Sequence, residues 1–338
     1  MDALLEILEK FNCHLKRGSQ TMSDYMDDNF KHYCDDLQTA AKSANNILVG
    51  KEMCEMVLLH LPKIKSVAEK IVKALYLYNT GRLYSAIQTA FDSFDSLKNY
   101  LMIKTYGENE YYSYYRIRRA EKQLSRKELF HIPLPLNYLA STERYSMPGH
   151  PCLYLASQPD LCWYECGKPK SFAIARFDLP QSGDQQFRFV DFSEKLMPLK
   201  HAFFCWFHND ENHKDAIRNY LLKYLVTYPL RAACSVVVEH TDAKYKEEYI
   251  IPQLLVQWLV TDNDLDGIRY ESSNNNEEVR RYGGHNIVLI TKKYDSEGYD
   301  IKLRNTIMVG KPEWFENFEI TERNPLIIEE MDNDPQFV

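Results

Sequence analysis

The sequence predicts an α+β protein, with an N-terminal all-helical domain followed by a mixed α/β domain. Three observations lead there. Apolar residues recur at helical spacing from residue 1 to about 99, Pro62 is the single proline of that stretch, and strand-like runs rich in β-branched and aromatic residues begin only beyond residue 110. This change of character sets the expected boundaries: a helical domain over 1–107, a mixed domain over 108–310, and an acidic tail over 311–338 that ends "ERNPLIIEEMDNDPQFV".

In the helical part, Leu4, Leu5, Leu8, Phe11 and Leu15 form one stripe. Val72, Leu75, Leu83, Ile87, Phe91, Phe94 and Leu97 form a longer pattern, which Asn79-Thr80-Gly81 should break into two helices. Beyond the "GENE" turn come Tyr111, Tyr112, Tyr114 and Tyr115, then Pro133 and Pro135 as punctuation. "KSFAIARFDL", "QQFRFVDFS" and "NIVLITKKY" read as strands. Two helices are expected among them, "NDENHKDAIRNYLLKYLVTY" with Asn209 or Asp210 as cap, and "YIIPQLLVQWLVTD".

With 338 residues and 45% hydrophobic content, the chain can fill two cores. Its 41 basic and 48 acidic side chains leave a net charge of −7, which argues against a nucleic-acid partner held by a general positive field. Eight scattered cysteines and the opening "MDALLEILEKF", which lacks a basic segment followed by an apolar one, predict a reducing, cytoplasmic setting. The longest apolar runs, such as "HAFFCWF", fall well short of the ~20 residues of a membrane span, so no membrane partner is expected.

The stretch "ERYSMPGHPCLYLASQPDLCWYE", residues 143–165, concentrates the candidate chemistry. Arg144-Tyr145-Ser146 leads into a Pro148-Gly149 turn; "PCLYLA" suits a buried strand centred on Tyr154; Ser157 and Asp160 resemble a capping box opening a helix that carries Glu165 and stops at Gly167. An arginine, a tyrosine and a glutamate so arranged are the parts needed to hold a dinucleotide and cleave its nicotinamide glycosidic bond. The arginine grips pyrophosphate, the tyrosine packs beside the nicotinamide ribose, and the glutamate stabilises positive charge developing at C1′. The same three residue types fall within such a window often by chance, and spacing alone does not decide between the readings.

These residues resemble the RES-domain family, named for Arg, Glu and Ser. Arg144, Tyr154 and Glu165 match the family's spacing from turn arginine to tyrosine to glutamate. "DGIRYESSNNNEEVRRYGGHNIVLI" resembles its last element and puts the family serine at Ser272, with Ser273 adjacent. "YIIPQLLVQWLVTDNDLDGIRY" resembles its Pro-Gln helix, and "YYSYYRIRR" its first strand, with Arg116 as the better candidate and Arg118 as runner-up. The likeness covers residues 110–295; Tyr145 stands where a Trp is commoner and Glu271 where a Pro is common. It implies a fold related to ADP-ribosyltransferases and an NAD+-consuming toxin of a bacterial toxin–antitoxin pair, acting as glycohydrolase or phosphorylase. Glu165, Arg144, Tyr154 and Ser272 would be catalytic, and Arg116, Arg118, Tyr145, Ser146 and Ser273 would bind the substrate. An antitoxin protein is an implied partner, a homo-oligomer stays open, and residues 1–107 would be an accessory module. No metal is expected, because the leaving nicotinamide already carries positive charge.

Rival readings keep the pocket but transfer ADP-ribose to a macromolecule, or reduce it to a nucleotide-sensing module. The aromatics and Arg116, Arg118 and Arg119 of "YYSYYRIRR" could stack single-stranded nucleic acid, but also suit an ordinary strand with two faces. Arg126 and His131 have the spacing of a ribonuclease motif, yet Pro133 follows too closely for one helix to hold both. Cys205, His208 and His213 lack the paired short spacings of a zinc site, as do Cys162 and Cys166.

Overall fold

The computed structural model describes residues 2–11, 15–105, 112–180, 186–193, 211–262, 264–272, 284–320, 326 and 328, apart from the side chains of 211–213. The helices used below are α1 (Ala3–Lys10), α2 (Met22–Lys42), α3 (Gly50–Asn79), α4 (Leu83–Leu97), α5 (Arg126–Leu129), α6 (Pro159–Glu165), α7 (Glu211–Val226), α8 (Tyr228–Ser235), α9 (Ile250–Thr261) and α10 (Ile301–Thr306). The strands are β1 (Ile103–Thr105), β2 (Tyr112–Arg119), β3 (Cys152–Ala156), β4 (Phe172–Leu179), β5 (Arg188–Asp191), β6 (Gly267–Tyr270), β7 (Asn286–Ile290), β8 (Met308–Val309) and β9 (Glu313–Phe315). None of the described helices is long and apolar enough to cross a membrane.

The chain forms two units, one of Met1–Met102 with Glu194–Trp258 and one of Ile103–Ser193 with Leu259–Val338. In the helical unit, Thr21 caps α2 by accepting the Asp24 N–H, and α3 ends at the expected break, where Gly81 takes φ +78°. α3 buries Met53, Val57, Leu61, Ile64 and Ile71 at helical spacing, with Pro62 accommodated inside it. α7 ends at Val226, within two residues of the expected end at Tyr228, and α8, with Pro229 in its first turn, was not foreseen; the expected cap residues Asn209 and Asp210 lie outside the described residues.

Residues 194–258 thus group with the helices, whereas the expected boundary kept them in the mixed domain. The cause is aromatic packing. Tyr228 packs on Tyr33 of α2 at 4.1 Å between centroids with the rings tilted by 30°, and Phe11 meets both rings edge-on. The Tyr33 hydroxyl donates to the Leu225 carbonyl at 2.7 Å, and Trp258 Nε1 donates to Asp95 at 2.8 Å.

The second unit is a mixed sheet in the order β1-β5-β6-β7-β3-β2-β4-β8, with β9 also on β4. β5 and β6 run parallel; the other pairings are antiparallel. One face carries Tyr114, Leu153, Leu155, Ala175, Phe177, Ile287 and Leu289, and the other Ile117, Ala156, Ile174 and Phe172 under α6. Both faces of β3 and β4 are covered, which explains their near-continuous apolar sequence. Part of the expected tail belongs to this unit: β9 pairs with Phe172–Ile174, and Phe315 and Phe318 pack on Phe172 at 5.3 and 5.8 Å.

Candidate active site

β3 joins β7 along its whole length, Cys152 opposite Ile290 through Ala156 opposite Asn286. On its other side it meets β2 at the pair Tyr115–Ala156, and the two strands then part. The C-terminal end of α6 enters this opening, where the Cys166 thiol donates to the Ile117 carbonyl at 3.6 Å. Three of the sequence-predicted groups gather here.

Tyr154 stands at the centre of β3, as expected, opposite Val288. Its hydroxyl is buried without a hydrogen-bond partner, and burial holds its pKa well above the usual phenol value, with Cys152 and Tyr270 adding to the effect. Arg116 has Nη1 buried and unpartnered. Burial first, then Arg118, pulls its pKa down to about 9, while Cys166, Cys162 and Tyr154 act in the opposite direction. A guanidinium left this way forfeits hydrogen bonds that each stabilise by about 1.5–3 kcal/mol, which an incoming anion would restore. Arg118 is placed differently: its Nη2 donates to the Phe130 carbonyl at 3.2 Å.

The turn of residues 143–146 lies by the same strand. Glu143 N–H donates to Ser146 Oγ at 3.1 Å and Ser146 N–H to the Glu143 carbonyl at 3.3 Å, closing the turn on itself. Arg144, Tyr145 and Ser146 are all buried, and the Tyr145 ring packs on Tyr270 of β6 at 4.7 Å. The Ser146 hydroxyl is near enough to the Tyr154 hydroxyl to favour its phenolate, although the two form no bond of full hydrogen-bonding geometry, and the Glu143 carboxylate acts in the opposite direction. Arg144 is only 8% exposed, an expensive position for a cation and one that surface turns do not require.

Glu165 is the last residue of α6, and its side chain is solvent-accessible. Its Oε1 accepts Asn286 Nδ2 at 3.0 Å. α6 does not begin with the expected Ser157 capping box. The N-cap is Gln158, with Pro159 as the first helical residue, and Ser157 Oγ instead accepts the His285 N–H at 2.9 Å. Gly167 ends the helix at φ +74°, and Trp163 anchors it by donating Nε1 to the Pro169 carbonyl at 2.9 Å. Ser272 is half-buried two residues past the end of β6; Ser273 lies outside the described residues, as do Cys205, His208 and the His213 side chain.

Sequence reasoning passed over a polar row that runs across the sheet. Asp191 accepts from Arg269 Nη1 at 2.5 Å, Arg269 Nη2 meets His285 Nδ1 at 3.3 Å, and His285 Nε2 meets the Tyr114 hydroxyl at 2.9 Å. A guanidinium only donates, so Nδ1 accepts and the imidazole proton sits on Nε2. Burial and then Arg269 push the His285 pKa down to about 3. The four residues are far apart in sequence, and only the "GGHN" ahead of an apolar run marks one of them. His131 proves to be a fully buried structural histidine, and Arg126 donates to the Val309 carbonyl, so the two share no active arrangement.

The arrangement offers a guanidinium with its Nη1 buried, a phenol with its hydroxyl buried within electrostatic reach of it, and a carboxylate at the rim, with Cys166 within electrostatic reach of both Arg116 and Glu165. Such groups can bind an anionic ligand and stabilise positive charge on a neighbouring carbon. A protein of Bacillus subtilis (strain 168) named "Putative toxin YopC" is 27% identical to the chain over 278 residues, 78% of the chain and 62% of that protein. The match therefore spans less than two thirds of that relative's length. No family model matches the chain, and no solved structure matches it.

Proposed function

We propose that the chain is an NAD+-degrading toxin of the RES type, a glycohydrolase or phosphorylase that breaks the bond between nicotinamide and ribose. The observation that carries this reading is the meeting of two orphaned buried groups, Arg116 Nη1 and the Tyr154 hydroxyl, beside the end of the helix bearing Glu165. Native proteins rarely leave buried donors unmatched, and those that persist call for an explanation such as a ligand. The name of the Bacillus subtilis relative supports the toxin part of the reading.

In this mechanism Arg116 and Arg144 hold the pyrophosphate, and Tyr145 and Ser146 shape the turn around it. Tyr154 packs the nicotinamide riboside, and Ser272 orients a ribose hydroxyl. As the C1′–N bond breaks, its electron pair leaves with nicotinamide, and the Glu165 carboxylate stabilises the oxocarbenium ion that remains. Water or phosphate adds to C1′, giving ADP-ribose with release of a proton, or its 1-phosphate. An antitoxin that restrains the enzyme in the cytoplasm completes the reading, since unchecked loss of NAD+ would stop the host cell.

The test is nicotinamide release from NAD+ by the purified chain, with and without phosphate, beside Glu165→Gln and Arg144→Ala. The reading expects release that falls about 10²-fold or more in Glu165→Gln, the effect typical of removing one transition-state contact. A silent parent chain, or a Glu165→Gln variant as active as the parent, overturns it. Label from NAD+ recovered on protein or nucleic acid, with no free ADP-ribose, would assign the pocket to ADP-ribosyl transfer.

A further inference from the structure

Glu165 and Asn286 are 121 residues apart and meet through one hydrogen bond, Nδ2 to Oε1 at 3.0 Å. The acceptor is a carboxylate, so the amide must present its NH2. The two partners differ in freedom. Glu165 ends a seven-residue helix and is accessible to solvent, where an unheld glutamate samples many rotamers. Asn286 is 5% exposed and opens β7, with Ala156 opposite on one side and Tyr270 on the other. One residue earlier, His285 and Ser157 exchange two hydrogen bonds, His285 N–H to Ser157 Oγ and Ser157 N–H to the His285 carbonyl, both 2.9 Å. The first residue of β7 and the residue just before it therefore hold α6 at both ends, His285 by Ser157 just before the helix and Asn286 by Glu165 at its close.

We infer that Asn286 is the positioning residue for Glu165: its amide fixes the carboxylate at the mouth of the opening between β2 and β3. The chemistry of the donor matters. An amide orients a carboxylate without neutralising it, whereas a lysine or arginine there would form an ion pair and weaken the field the carboxylate exerts on a developing cation. The bond engages Oε1, so Oε2 can face a ligand. This inference rests on the reading of Glu165 as the group that stabilises the transition state.

A double-mutant cycle tests it, with nicotinamide release by the full chain as the readout and thermal unfolding as the check on folding. Asn286→Ala is expected to lower kcat about tenfold, near the lower end of what one hydrogen bond to a charged group supports, with KM for NAD+ changed less than about twofold. In a Glu165→Gln background the same substitution should lower kcat no further, because the group it positions is already gone. Asn286→Asp, which sets a second carboxylate against the first, should be worse than Asn286→Ala. An equal fold-loss from Asn286→Ala in both backgrounds would show a merely structural role and overturn the inference, as would parental kcat in Asn286→Ala. An active parent whose Glu165→Gln variant is unimpaired would instead overturn the reading of Glu165 itself, so the two failures are told apart.

Discussion

Acidification from pH 7 to pH 5 should weaken the sheet unit through two neutral histidines, the buried His131 and the half-buried His285. His131 donates Nδ1–H to the Ile132 carbonyl at 2.9 Å and accepts the Asp300 N–H on Nε2 at 2.9 Å. Protonation would turn that acceptor toward a donor, and burial lowers the His131 pKa from 6.5 to about 4. A second cation at His285 would face Arg269, and its pKa falls to about 3. Both folded values lie below the unfolded one, so the unfolded chain binds more protons below pH 6.5. The stability they confer is complete above that point and is lost as pH falls toward the folded values. At pH 5, about 1.5 units below the unfolded value, each histidine costs about 2 kcal/mol, or about 4 kcal/mol together, against a typical total of about 5–15 kcal/mol. His150, whose pKa is also lowered by burial, acts in the same direction. Urea midpoints at pH 7, 6 and 5 would measure the loss. A His131→Gln/His285→Gln variant, which keeps an acceptor at each site, should start weaker at pH 7 and change much less with pH. Equal pH dependence in parent and variant, or a parent that gains stability toward pH 5, would refute the reasoning.

Alkylation should find Cys166 first among the described cysteines, because a hydrogen bond from Cys162 and then Arg116 and Arg119 favour its thiolate, while burial holds Cys152 near 12 and Cys34 near 11. Peptide mass spectrometry after brief iodoacetamide treatment checks this, and earlier labelling of Cys152 or Cys34 contradicts it. Arg116→Met removes a guanidinium whose Nη1 is buried and unpartnered, so it should unfold at a temperature equal to or above that of the parent while NAD+ binding, followed by calorimetry, weakens about tenfold or more. Gly267→Ala would drive a Cβ to 2.0 Å from the Val288 carbonyl oxygen in the β6–β7 ladder, and a loss of roughly 3 kcal/mol or more is expected in chemical denaturation.

The local elements were legible because their causes are local. The Asn79-Thr80-Gly81 break, the strand around Tyr154 and the helix stop at Gly167 depend on residues within a turn of one another. The grouping of 194–258 with the helices was not legible, because helical periodicity says which face is buried and not which partner buries it. Ser157 misled for a related reason: its hydroxyl fits a cap by sequence, but His285, 128 residues away, occupies it. In the candidate site, Tyr154 and Glu165 could be singled out, whereas Asn286 reads as an ordinary strand start and only the β3–β7 register brings it to Glu165. Arg116 was ranked above Arg118 by resemblance alone; the physical difference between these alternate positions on one strand is in their partners, Arg118 Nη2 being bound to Phe130 while Arg116 Nη1 has none.

The pairing of Ala156 with Asn286 also orders events during synthesis. These residues are 130 positions apart (286 minus 156), which at about 5–20 residues per second is on the order of ten seconds of translation. Over that interval a nascent chain carries Tyr154 and Glu165 without the strand that β3 lies against or the amide that meets the carboxylate. Contacts of such long range also form slowly once the segments are present. The stretch Met1–Met102 is made before any of this. A ribosome-bound chain thus displays its first helices well before its cleft is assembled, and that interval is open to anything that binds those helices.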